Sequence, residues 1–152
     1  MSKDKTINRK RTALLSQARA LFYKHGIKRV TVEEICRDAG ISKMTFYKHF
    51  RDKNDLARRV VLDIIEEVEA KYEAIRKADI PFPEKIKALI PMKIEVSSAM
   101  SWEFLKDIYG GSYPELEELF RIRKDKVMRL FLDDIAEAQA RGEVRSNLSA
   151  ET

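Results

Sequence analysis

The feature that most constrains this chain is a pair of short helices predicted between residues 31 and 50. Thr31-Val-Glu-Glu34 has the pattern of a capping box, in which the threonine hydroxyl and the glutamate carboxylate satisfy free amides at a helix start. Gly40 ends this helix, because glycine tolerates the left-handed backbone conformation that commonly follows a helix. Ser42 can cap a second helix that continues to about Phe50. Two short helices joined by a glycine-containing turn predict a helix-turn-helix.

The rest of the chain also has the spacing and composition of helices. Apolar residues recur at helical intervals in residues 7–25, which precede the motif, and in residues 52–75, which follow it as one long helix. The chain contains only five glycines and four prolines, and no segment has a convincing strand pattern. We therefore predict an all-α fold, with an N-terminal three-helix helix-turn-helix domain joined by a long helix to a C-terminal helical bundle. The predicted domains are residues 1–52 and residues 53–152.

Prolines and glycines delimit the helices predicted in the C-terminal part. Ile80-Pro-Phe-Pro83 is predicted to be a linker, and Pro91 is expected to kink or divide the helix that follows it. A short helix is predicted before Gly110, and a long helix over residues 114–141.

Charge is divided unevenly along the chain. Residues 1–59 contain 16 Lys and Arg against 6 Asp and Glu, a formal charge of +10, whereas residues 60–152 contain 14 against 19, a formal charge of −5. A basic head favours a polyanionic partner, because neutralising phosphates releases their condensed counterions. Charge alone fits a solvated basic surface equally well, so the assignment depends on the second helix of the motif.

This second helix has an apolar side and a polar side. Phe46 and Phe50 lie four residues apart and are predicted to face the core. Lys43 and Met44 lie near the helix N-terminus, where a lysine can donate to guanine and a methionine can pack on a thymine methyl group. Donors for phosphate oxygens are predicted on Thr45, Tyr47, Lys48 and His49. Ser42 is also within reach of DNA, and Lys53 adds positive charge in the first turn of the next helix. A packing role for Tyr47 and simple solvation of His49 are the alternatives.

Residues 31–50, followed by Lys53, resemble the DNA-binding signature of the TetR family of transcriptional regulators. The similarity extends over about residues 8–58, and it is specific because many positions match in one register. Met44 stands where the family frequently has glycine, Cys36 where it frequently has alanine, and Asn54 where it frequently has glutamate. The resemblance implies contacts with operator DNA at six positions of this chain: Thr31, Lys43, Thr45, Tyr47, His49 and Lys53.

The resemblance also implies a repressor whose operator binding is relieved by a small ligand in the C-terminal domain. The large apolar side chains in residues 81–141 are predicted to be mostly core, with an effector pocket near four of them: Met92, Trp102, Tyr109 and Phe131. A homodimer on operator DNA is expected for the family. Residues 149–152 look like the capped start of a further helix, so the chain is expected to lack the last two helices usual in the family. Because those helices usually form the dimer interface, the sequence leaves dimerisation of this chain open.

Other classes of function have less support in the sequence. Two histidines 24 residues apart, one cysteine and no glycine-rich phosphate loop offer neither a metal site nor a nucleophilic triad, so no catalytic residue, metal or cofactor is predicted. No apolar run is long enough to cross a bilayer, and the N-terminus has no secretory signal. Cys36 cannot form an internal disulfide and is predicted to be buried core, which fits a cytoplasmic protein. The main alternative is a helical ligand- or protein-binding module whose basic head binds DNA without sequence preference.

Overall fold

The computed structural model describes the backbone of residues 2–146 and the side chains of residues 8–146. The regular elements in this range are seven helices: α1 (Ser2–His25), α2 (Val32–Ala39), α3 (Lys43–His49), α4 (Lys53–Arg76), α5 (Phe82–Ser98), α6 (Trp102–Tyr109) and α7 (Pro114–Ala140). The predicted all-α fold, with an N-terminal helix-turn-helix followed by a C-terminal helical part, is confirmed. The helix start predicted at residues 149–152 lies outside the described residues.

The chain divides into two compact units, and the first contains Met1–Ile64 together with Ala99–Glu117. Within this unit α1 packs against α2, α3 and α6. Phe46 of α3 is fully buried, as the sequence predicted, and burial of such a side chain contributes about 1.5–3 kcal/mol relative to exposure. The core of the unit is formed by side chains that are almost completely buried: Leu14, Ala18, Phe22, Ile27, Val30, Ile35, Cys36, Phe46, Phe50, Leu56, Phe104 and Ile108.

The second unit contains Ile65–Ser98 and Glu118–Thr152, which include the second half of α4, α5 and most of α7. Arg76 on α4 pairs with Asp134 on α7, and its Nε lies 3.0 and 2.9 Å from the two carboxylate oxygens. The rings of Phe82 on α5 and Phe131 on α7 have centroids 6.2 Å apart. These contacts hold both α4 and α5 against α7.

The prolines around α5 act differently from the sequence prediction. Phe82 begins α5 and is 8% exposed, and its N–H donates to Glu143 Oε2 at 2.6 Å, so the second half of the predicted linker is helix. Pro83 lies in the first helical turn, where a missing N–H costs no intrahelical hydrogen bond. Pro91 does not divide α5, which continues past it, and the predicted kink at Pro91 stays a prediction. Pro91 lacks the N–H that would donate to the carbonyl of Lys87, and both residues are exposed.

Candidate DNA-binding site

The helix-turn-helix begins at a capping box whose two reciprocal hydrogen bonds are both formed. The N–H of Glu34 donates to Thr31 Oγ1 at 3.2 Å, and the N–H of Thr31 donates to Glu34 Oε2 at 2.8 Å. The N–H and the hydroxyl of Thr31 both donate to the Glu34 carboxylate, and they hold its pKa below its ordinary value. Because α2 has only eight residues, its stability depends strongly on satisfying the free amides at its start.

The turn between α2 and α3 is set by one glycine and one serine. Gly40 has φ +65°, the left-handed conformation that favours glycine, and the N–H of Ile41 donates to the carbonyl of Cys36 at 2.9 Å. Ser42 then caps α3 by accepting the N–H of Thr45 at 3.3 Å, while its hydroxyl donates to Thr45 Oγ1 at 3.0 Å. The Ser42 and Thr45 hydroxyls are therefore already paired with each other at the start of α3.

One side of α3 is anchored in the core, and the other is presented to solvent. The rings of Phe46 and Phe50 are buried with centroids 5.8 Å apart, and the guanidinium of Arg11 lies 5.4 Å from the centroid of the Phe50 ring. Met44 and Tyr47 are 71% and 57% exposed. Large apolar and aromatic groups exposed on a rigidly held helix are consistent with a surface that binds a partner.

Lys43 lies at the first position of α3 and forms an ion pair with a residue of α2. Its Nζ lies 2.6 Å from Glu33 Oε1, and both side chains are more than half exposed. This hydrogen bond raises the pKa of Lys43 and lowers the pKa of Glu33. An exposed pair of this kind is screened by water and salt, so it is weak enough to exchange for another partner.

His49 and Lys48 lie at the end of α3. Lys48 is exposed, whereas His49 is half-buried with its ring centroid 6.4 Å from that of Phe50. Burial lowers the pKa of His49, and the neighbouring cations Arg11, Lys10 and Lys48 lower it further. These effects favour the neutral imidazole, which has one N–H to donate.

Lys53, at the start of α4, has its ammonium group occupied by backbone carbonyls. Its Nζ donates to the carbonyls of Ile27 at 2.8 Å, Lys28 at 3.1 Å and Val30 at 2.8 Å. Burial lowers the pKa of Lys53, while the carboxylate of Asp107 acts in the opposite direction. The phosphate contact of Lys53 stays a prediction. In this structure the three N–H groups of its ammonium already have acceptors.

The four residues predicted to line an effector pocket do not share a unit. Trp102 and Tyr109 lie on α6 in the first unit and are 73% and 57% exposed. Met92 and Phe131 lie in the second unit and are half-buried. The second unit also has a partly open cavity of about 330 Å³ between α4 and α7, which is lined by Tyr72, Val127, Leu130 and charged residues. The pocket proposed from the sequence stays a prediction.

Sequence reasoning missed Asp107 of α6. Its carboxylate is 8% exposed and accepts the N–H of Lys28 at 2.8 Å. The signal that could have found it is its spacing, because Phe104, Asp107 and Ile108 lie at i, i+3 and i+4 on the buried face of a helix. The many other charged residues of the chain make this one aspartate hard to distinguish in the sequence.

No helix in the described range is long and apolar enough for a membrane span. Within the same range, no three His, Cys, Asp or Glu side chains come together in a way that suits a metal ion. Cys36 is buried, and burial raises the pKa of its thiol, as expected for a core residue.

Comparison with known proteins shows what the chain is similar to. The family model for bacterial regulatory proteins of the tetR family matches residues 14–60. The HTH-type transcriptional repressor KstR2 of Mycolicibacterium smegmatis is 24% identical over 147 residues, which cover 93% of this chain and 71% of that protein. The repressor BepR of Brucella suis is 26% identical over 151 residues, covering 93% and 72%. A transcriptional regulator of the TerR/AcrR family from Aquifex aeolicus has the same fold, with a TM-score of 0.69 and 19% identity over 88% of this chain and 75% of that one.

Proposed function

We propose that this chain is a repressor of the TetR family of bacterial regulatory proteins, which binds operator DNA through α3 and is released by a small ligand. The observation that carries the proposal is the two-sided character of α3. Phe46 and Phe50 fix the helix in the core, and Met44 and Tyr47 project from it. A helix held in this way can enter a major groove about 12 Å wide without first having to fold.

Each residue predicted to bind DNA has a proposed role. Lys43 and Met44 read base edges at the start of α3, where Lys43 donates to guanine and Met44 packs on a thymine methyl group. Contacts with phosphate oxygens position the protein without reading sequence, and they are assigned to Thr31, Ser42, Thr45, Tyr47, Lys48, His49 and Lys53.

The experiment that tests this function compares selected and scrambled DNA. Duplexes selected by the chain from a random-sequence pool are titrated against scrambled duplexes of the same composition, at about 50 mM and about 200 mM salt. A preference of about 10³ or more for the selected duplex supports a sequence-specific regulator. If the selected and scrambled duplexes bind with equal affinity at each salt concentration, the chain is a module that binds DNA through charge alone.

Two methionine variants test the assignment of α3. Met44→Ala should change the base preferred at one position of the selected duplex, because the thymine methyl group loses its apolar contact. Met128→Ala removes a methionine that is 48% exposed on α7, and it should leave the preference unchanged. If the two variants select the same sequences as the parent chain, Met44 does not read DNA.

The sensor function is assigned to residues 53–152 and the DNA-binding function to residues 1–52. We propose an apolar effector bound in the sensor domain, a homodimer as the active form, and a cytoplasmic location with no catalytic activity. Ligand release is tested by adding candidate small molecules to the complex with the selected duplex. If a saturating screen never weakens the complex, the effector proposal fails while DNA binding stands.

A further inference from the structure

Asp107 is unusual among the side chains that the structure describes, because it is a buried charge. It lies on α6 and is 8% exposed. Burying a carboxylate is costly unless hydrogen bonds or an opposite charge compensate. Its partners should therefore indicate what it does.

The first partner is the loop between α1 and α2, residues 26–30. Asp107 Oδ2 accepts the N–H of Lys28 at 2.8 Å. Gly26 in the same loop has φ +79°, and a Cβ added to it would lie 2.8 Å from Asp107 Oδ2 and 3.2 Å from the backbone carbon of Glu103. The loop thus approaches α6 so closely that glycine is required for space as well as for conformation.

Lys53 contacts the same loop through other atoms. Its ammonium donates to the carbonyls of Ile27, Lys28 and Val30, and its charge is attracted by the carboxylate of Asp107. The buried carboxylate of Asp107 therefore accepts one amide N–H of loop 26–30, and the half-buried ammonium of Lys53 donates to three carbonyls of the same loop.

α6 also contacts the C-terminal end of α1. The N–H of Ser101, which caps α6, donates to the carbonyl of Tyr23 at 2.8 Å, and the rings of Tyr23 and Phe104 have centroids 5.3 Å apart. Loop 26–30 leads directly into Thr31, the cap of α2, and α2 packs against α3. A contact that fixes this loop consequently fixes the entry into the helix-turn-helix.

We propose that Asp107 is a positioning residue for DNA recognition, which acts from α6 through loop 26–30 on the orientation of α2 and α3. The inference rests on the proposed function, since it needs a preferred DNA sequence to be measured. It adds a determinant of DNA recognition outside residues 14–60, the span that the tetR family model matches. The determinant lies on a helix that sequence reasoning placed in the sensor domain.

The test measures the preference for the selected over the scrambled duplex in three variants, well below the midpoint of thermal unfolding. Asp107→Ala removes the acceptor and the charge, and it should lower the preference by tenfold or more, mainly through weaker binding to the selected duplex. Asp107→Asn keeps an oxygen for the N–H of Lys28 and should retain most of the preference. Ile108→Val is the matched control, because it loses a methylene from a fully buried neighbour on α6 and leaves the loop contact in place.

A merely structural role predicts a different outcome. Asp107→Ala and Ile108→Val would then lower the unfolding midpoint, and both would keep the full preference for the selected duplex. That result would overturn the proposal. If the parent chain itself shows no preference for the selected duplex, the proposed function fails. This outcome is distinguishable from one in which the parent and both variants show the same preference.

Hydrogen exchange provides a second readout that does not depend on DNA. The amide of Lys28 should lose protection in Asp107→Ala and keep it in Ile108→Val, because only the first variant removes its acceptor. If Asp107→Ala does not fold, Gly26→Ala provides the test, since the added Cβ must displace the Asp107 carboxylate. Unchanged preference in folded Gly26→Ala would contradict the proposal in the same way.

Discussion

Two lysines of the candidate site differ in the groups that accept their hydrogen bonds. Lys43 is more than half exposed and forms an ion pair with the exposed carboxylate of Glu33. Lys53 is half-buried and donates hydrogen bonds to three backbone carbonyls. A positive charge in the first arrangement exchanges partners easily, and one in the second contributes to the shape of a loop. The structure therefore supports different tests for the two lysines.

Replacing Glu33 by glutamine should strengthen binding to all duplexes. The variant frees the Lys43 ammonium and removes a negative charge beside the proposed DNA surface, so we expect up to about fivefold tighter binding at low salt and less at high salt. Glu84→Gln is the matched control, since Glu84 also forms an exposed 2.6 Å pair, with Lys87 on α5. Titrations at two salt concentrations measure the effect. An equal gain in both variants would reflect net charge and would contradict a local role for Glu33.

Replacing Lys53 by alanine should weaken binding to all duplexes alike. One lost phosphate contact lowers the slope of log K against log salt by about one. The unfolding free energy should also fall by about 1–3 kcal/mol, because three loop carbonyls lose their donor. In comparison, Lys43→Ala should relax base preference with little loss of stability. A Lys53→Ala variant with an unchanged salt slope and reduced stability would show that the side chain only holds the loop.

At the level of elements, the sequence predicted the helices and their inward faces well. The capping box at Thr31, the stop at Gly40 and the spacing of Phe46 and Phe50 are local signals, so one window of sequence contains the whole argument. The position of α6 against loop 26–30 is a different case. Lys28 and Asp107 are 79 residues apart, and nothing in either neighbourhood indicates the other. Tertiary contacts of this kind decide whether an aspartate is solvated or buried.

The turn between α2 and α3 can be tested by substituting its glycine. Gly40→Ala meets no atom within 4 Å, so its cost should come from the left-handed backbone alone, about 1–2 kcal/mol of unfolding free energy. Gly142→Ala is the matched control, with φ +75° and equally open space in the turn after α7. Denaturant unfolding should show similar losses, while only Gly40→Ala should weaken binding to the selected duplex, because strain in this turn shifts α3. Unchanged affinity in Gly40→Ala would mean that the turn tolerates alanine without moving the helix.

At the level of the whole molecule, the uneven charge matches the proposed division of labour. The basic residues 1–59 include the candidate DNA-binding helices, whereas residues 60–152 have a formal charge of −5. A positive head attracts the DNA backbone at long range, and a negative remainder limits nonspecific wrapping of DNA around the rest of the chain. A single head can neutralise only a few phosphates, so we expect a single chain to bind DNA weakly. Strong binding then requires two heads on one duplex.

We therefore expect operator binding to depend on pairing of two chains. A duplex with two half-sites, separated by about one helical turn or a multiple of it, should be bound with a salt slope about twice that of a duplex with one half-site, because twice as many phosphates are neutralised. Sedimentation velocity should report twice the mass of 17.7 kDa at the protein concentrations where the two-site duplex is bound. Identical salt slopes on the two duplexes, together with the mass of a single chain, would show that each head acts alone. The affinity of a selected duplex would then come from one copy of α3, and the regulator would read a half-site rather than a palindrome.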